Sequence, residues 1–303
     1  MDTIKIKIDE TTLEKMKKFY DSHMKPHEED DEYVFIANTV GCEINCYKNM
    51  TVTFIGSNAI TEVAHWKKLR PKDNFDKAGH YIGSHIGVSE YGSKDYFGPI
   101  CVVSCYIDES DIDWLKNIIE KPVQALTDRE IVDISKQIKD EILYSLLVLD
   151  NLHYNSEINK GANQSNIKAR LHNDAVINVM QKIQKPVEKK VASQFIASKT
   201  YFNYLKSEVV VAKDVELIEN AELYYYGVAC SYILAKYAYL QYFTKISKTL
   251  NIKLPSGTSN AVDVAGAKIV RQYGEKTLIK VAKVNLNNTK RIKEILKKAR
   301  QES

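Results

Sequence analysis

Gly87-Val88-Ser89-Glu90-Tyr91-Gly92-Ser93-Lys94-Asp95-Tyr96-Phe97-Gly98-Pro99 connects two segments that read as neighbouring strands. His85–Val88 leads into it, and the more apolar Ile100–Ile107 follows. Gly92 and the Gly98-Pro99 step make the connection a turn-rich loop. Downstream, Asp111 begins a helix, and Thr127 stands three residues before Glu130, a capping-box spacing that opens a helix over Asp128–Ile142. Tyr144–Leu149 is a continuous apolar run of the kind buried on both faces. Asn163–Ile183 reads as a long helix and Val191–Ile196 as a short strand. Ala221–Leu250 reads as a Tyr- and Ala-rich helical pair, with Ala261–Tyr273 and Glu275–Leu286 closing the chain. Strands alternating with helices predict an α/β domain over residues 82–303, a mixed sheet flanked by helices.

Upstream, Ile4, Ile6 and Ile8 alternate with polar residues as a first strand does. Glu10–Tyr20 is a predicted helix with Thr11 or Thr12 as its cap. Three strand-like runs follow, Tyr33–Asn38, Glu43–Lys48 and Thr51–Ile55, and then a helix over Ser57–Leu69. Residues 1–70 are thus expected to form a small α+β domain, and the polar, Pro-containing residues 71–81 a linker.

The 303 residues are 44% apolar and 27% charged, a globular composition, and no apolar run approaches the ~20 residues that span a bilayer. The N-terminus lacks the apolar core of a secretory signal, and five cysteines without disulfide-scaffold density favour a cytoplasmic location. Net charge is only +4, but Lys290, Arg291, Lys293, Lys297, Lys298 and Arg300 gather near the C-terminus against Glu294. A basic terminal helix suits phosphate contacts and equally suits a solvated face. Cys42/Cys46 and Cys101/Cys105 do not suggest zinc, because residues four apart in a strand lie about 13 Å from each other. They are expected to be buried strand residues, and His172 a structural helix residue rather than a base.

The chain resembles ribonuclease HIII, a bacterial enzyme that cuts the RNA strand of RNA/DNA hybrids. The resemblance rests on Asp95-Tyr96-Phe97-Gly98-Pro99, on Asn166-Ile167-Lys168-Ala169-Arg170-Leu171-His172-Asn173, on Tyr201-Phe202-Asn203-Tyr204-Leu205, and on Leu254-Pro255-Ser256-Gly257. It implies an RNase H-like fold for residues 82–303 and a TATA-binding-protein-like domain for residues 1–70, where Val40-Gly41-Cys42-Glu43-Ile44 and Ala64-His65-Trp66 carry the likeness.

The resemblance also implies four metal-binding carboxylates, which fall on Ser89, Glu90, Ser193 and Glu222. Two are serines here. Hydrolysis by two divalent metals about 4 Å apart needs hard anionic oxygens, so a working site would require Mg²⁺ or Mn²⁺, and this depleted one is expected to hold them weakly or not at all. Lys94 stands where the family has a second glycine of its substrate-reading loop. Pro122-Val123-Gln124-Ala125 replaces a basic segment, and Tyr232 stands where a small residue packs.

Three functions fit. The first is a ribonuclease HIII-like pseudoenzyme that binds RNA/DNA hybrid or structured RNA through Gly92, Ser93, Lys94, Tyr96, Lys168, Arg170, Lys199, Lys206 and the basic terminal helix. The second is a protein-interaction role, such as an antitoxin-like or phage-defence component. The third is an active endoribonuclease with an altered site built on Glu90, Glu222 and Asp95. None calls for a membrane or a small-molecule substrate.

Overall fold

The computed structural model describes residues 3–28, 32–67, 75–76, 78–185 and 187–301. The chain divides into two compact units, Met1–Ala78 and Gly79–Ser303.

The first unit runs β1 (Thr3–Lys7), α1 (Glu10–Tyr20), β2 (Met24–Lys25), β3 (Tyr33–Thr39), β4 (Cys42–Tyr47), β5 (Thr51–Ile55) and α2 (Ala59–Lys67). Its strands form one antiparallel sheet in the order β1-β5-β4-β3-β2. Met16, Tyr20, Phe35, Ile44, Phe54 and Trp66 fill the core between helices and sheet. The cap of α1 is Asp9, whose side chain accepts from the Thr12 N–H at 2.7 Å, and neither threonine serves. The predicted end of α2 at Leu69 lies outside the described residues.

The second unit holds β6 (His85–Tyr91), β7 (Ile100–Ile107), α3 (Ile112–Ile118), α4 (Asp128–Ile138), β8 (Leu143–Leu149), α5 (Asn151–Asn159), α6 (Gln164–Met180), β9 (Lys189–Ser193), α7 (Ser198–Tyr204), β10 (Val215–Ile218), α8 (Tyr226–Leu250), α9 (Asn260–Tyr273), α10 (Glu275–Val281) and α11 (Asn288–Gln301). The sheet order is β10-β9-β6-β7-β8, parallel from β10 to β6 and antiparallel from β6 to β8. Period-two alternation divides β7 between two cores. Cys101, Val103, Cys105 and Ile107 pack with α4 and α8, while Ile100, Val102 and Tyr106 pack with α6.

Four expectations change. β8 is an edge strand with Leu143 and Leu146 exposed, because no strand among the described residues lies beyond it. Ala221–Leu250 is not a helical pair but a single 3-10 turn, Ala221–Leu223, and one 25-residue helix. Pattern alone did not reveal α5 or β10. β6 continues through Tyr91, so Ser89 and Glu90 stand on a strand and not in a loop.

β6 and α8 touch backbone to backbone. A Cβ on Gly87 would lie 2.0 Å from the Gly227 carbonyl carbon, and one on Gly227 would lie 2.7 Å from the Gly87 nitrogen. The Gly227 N–H donates to His85 Nε2 at 2.8 Å, which leaves Nδ1–H to donate to the Gly83 carbonyl at 2.8 Å. Ser231 Oγ donates to the Gly87 carbonyl at 2.9 Å. These contacts fix the strand that carries Ser89 and Glu90 against the helix that carries Tyr232.

Candidate active-site cleft

The carboxyl ends of the parallel strands face a cleft of about 670 Å³. In α/β folds this end of the sheet is where ligands bind. Val88 pairs with Ala192, so Ser89 and Ser193 follow side by side where the parallel ladder of β6 and β9 ends. Glu222 enters from the turn before α8, after Asn220 in a left-handed conformation (φ 51°). Ser89, Glu90, Ser193 and Glu222 therefore converge, as does Asp95.

Each cleft carboxylate already has partners within the protein. Glu90 Oε1 lies 2.9 Å from the Lys168 ammonium and accepts from Ser93 Oγ at 2.6 Å. Burial pushes the Glu90 carboxyl up, but the Lys168 charge and these hydrogen bonds outweigh it and leave the pKa below the usual value. Lys168 Nζ also sits 4.1 Å from the centroid of the Phe195 ring. Glu222 accepts from Ser193 Oγ at 3.0 Å through one oxygen and from the Gln124 amide through the other. Asp95 Oδ1 accepts from the Gly257 N–H at 2.6 Å. Among the described residues, no three His, Cys, Asp or Glu side chains group in a way that could hold a metal ion.

The two halves of the loop do different jobs. Tyr96 and Phe97 are fully buried. Lys283 Nζ, itself buried with its pKa lowered to about 8 by desolvation, donates to the carbonyls of Asp95 (3.0 Å) and Gly98 (2.6 Å). Tyr96 OH bonds Thr289 Oγ1 at 2.8 Å, which removes it from any surface: the expectation that it contacts nucleic acid is corrected, because its ring belongs to the core beneath α9–α11. The other half faces the cleft. Gly92 takes a φ of 94°, and a Cβ there would meet the Pro99 oxygen at 2.4 Å. Lys94 is not among the residues with positive φ and is exposed, so its side chain is carried without backbone strain.

The remaining expected contacts scatter. Arg170 is bound by Glu157 (2.9 Å) and Glu208 (3.0 Å) and does not line the cleft. Lys199 and Lys206 are exposed on and just after α7, also outside its lining. The α11 helix buries Ile292, and its Arg291 pairs with Asp263. His172 is 1% exposed, and burial, aided by the Lys168 charge, lowers its pKa to about 3. All five cysteines are buried and unbridged.

Motif reading missed Tyr91, Phe195 and Gln164. Tyr91 was findable, since alternation along β6 places it on the face of Ser89, toward α8. Gln164 Nε2 donates to the Ser93 carbonyl at 2.9 Å and braces the loop.

A family model described as Ribonuclease HII matches residues 86–289. Ribonuclease HIII of Bacillus mycoides (strain KBAB4) is 34% identical over 98% of this chain and 99% of its own length. The chain belongs to the ribonuclease HIII family. A second such relative, from Bacillus anthracis (strain CDC 684 / NRRL 3495), is likewise 34% identical with the same coverage. The crystal structure of Bst-RNase HIII in complex with Mn²⁺ shares 29% identity at a TM-score of 0.70, covering 98% of this chain and 100% of that one. Residues 3–78 match a domain of unknown function (DUF3378). No helix among the described residues is long and apolar enough to cross a membrane.

Proposed function

We propose that this member of the ribonuclease HIII family binds RNA-containing nucleic acid, RNA/DNA hybrid or structured RNA, without hydrolysing it. The observation that carries the reading is the state of the cleft carboxylates. Glu90 is neutralised by an internal ammonium, and both oxygens of Glu222 are taken by Ser193 and Gln124. A pair of hard divalent cations needs several anionic oxygens free to coordinate. The donors at Ser89 and Ser193 are hydroxyls, so this residue set does not fit such a pair. Lys94, exposed in the cleft lining, supplies positive charge where a phosphate would pass.

The test is fluorescence anisotropy with a labelled RNA/DNA hybrid in EDTA and in Mg²⁺. Affinity is expected not to rise when Mg²⁺ replaces EDTA and to fall steeply with salt, since each phosphate contact adds nearly one unit to the log–log slope. No binding at low salt, or binding that requires Mg²⁺, would contradict it.

A further inference from the structure

If the cleft takes nucleic acid, its walls define which form. Tyr232 on α8 meets Tyr91 on β6 edge to face, ring centroids 5.7 Å apart, and Tyr91 packs on Tyr239 at 5.1 Å. Tyr91 and Tyr232 both line the cleft and both are only partly buried. They form an aromatic wall on the α8 side, locked in place by the Gly87–Gly227 contact. The exposed side chains of Gln194 and Asn220 line the same space, each amide offering a donor pair and an acceptor. Hydrogen-bonding capacity remains deeper in the lining as well: Glu90 Oε2 and both ring nitrogens of the buried His172 have no partner in the protein.

A tyrosine ring beside unspent amides and acceptors complements a nucleobase, which has a π face to stack and a polar edge to pair. A base within a duplex offers neither, because its faces are stacked on neighbours and its pairing edge is occupied. At about 670 Å³ the cleft has the size of pockets that enclose small-molecule-sized units, such as one nucleotide. We propose that the cleft holds one unpaired nucleobase of an RNA strand, stacked on Tyr232, with Lys94 at the rim engaging its phosphate. The inference rests on the nucleic-acid reading above and narrows it from duplex to unpaired RNA.

The experiment compares a short labelled RNA of mixed sequence, single-stranded, with the same RNA paired to complementary DNA. Anisotropy at fixed salt is expected to give about tenfold tighter binding of the single strand, the scale of one stacked base. Tyr232→Ser should bring the ratio close to one, and Tyr232→Phe should retain it. Hybrid bound as tightly as single strand by the unaltered protein overturns this inference and leaves the nucleic-acid reading standing. Absence of binding to either polymer overturns both. Should Tyr232→Ser fail to fold, the ratio for the unaltered protein and for Tyr232→Phe still decides.

Discussion

The Lys168 ammonium lies 2.9 Å from Glu90 Oε1 with the two side chains only 10% and 15% exposed, so each charge depends on the other to remain buried. Removing one partner of such a pair costs about 3–5 kcal/mol, because the survivor is stranded out of water. Lys168→Met is therefore expected to lower the unfolding free energy by roughly 3 kcal/mol in urea titrations. Adding Glu90→Gln to it should recover most of that loss, and strictly additive effects would rule out the coupling. Ser193 offers a second residue-scale prediction. An aspartate there would face Glu222 across the 3.0 Å now bridged by a hydroxyl. Like charges at that distance repel, so Ser193→Asp should melt lower than the parent without metal, and added Mn²⁺ should reverse the loss by binding the folded state. A melting temperature indifferent to Mn²⁺ would contradict this. The four positions at the cleft were legible in sequence through the resemblance, whose motifs assign them, and the structure brings them together. The Lys168–Glu90 pair was not. It depends on how α6 is rotated against β6, a tertiary property that no local pattern encodes.

Between elements, the closest approach is that of β6 and α8. Gly227→Ala would set a methyl 2.7 Å from the Gly87 nitrogen and 2.9 Å from the His85 ring, where backbone cannot yield cheaply. A loss of roughly 3 kcal/mol is expected, the upper end for overpacking, measurable by chemical denaturation. The same junction makes stability depend on pH. Burial lowers the His85 pKa from 6.5 to about 4, and its Nε2 must stay unprotonated to accept from Gly227. The unfolded chain thus binds this proton more readily than the folded one. The contribution is whole above pH 6.5, erodes as pH falls, and is gone near pH 4. At pH 5 the loss is about 2 kcal/mol, and His85→Asn should flatten that slope. Boundaries such as Glu10–Tyr20 and Thr51–Ile55 were readable because amphipathic period and turn residues agree there. Tyr144–Leu149 misled, since an apolar run gives no sign of whether a neighbouring strand covers it. The join of Ala221–Leu223 to a single long helix was hidden because Tyr and Ala suit helix throughout.

Over the whole molecule, the motif that joins β6 to β7 divides into a half packed against the C-terminal helices and a half that lines the cleft. Asp95–Pro99 anchors α9–α11 through Lys283 and keeps the architecture of the family. Ser89–Lys94 lines the cleft. Family and fold class were legible from the first half of that division, because scaffold residues tolerate little change in packing. The central claim concerns the second half, and prolonged incubation of stoichiometric protein with end-labelled RNA/DNA hybrid in Mn²⁺ tests it most directly. The account predicts bound but intact RNA after incubation; Mn²⁺-dependent cutting that disappears in Glu90→Gln would contradict it.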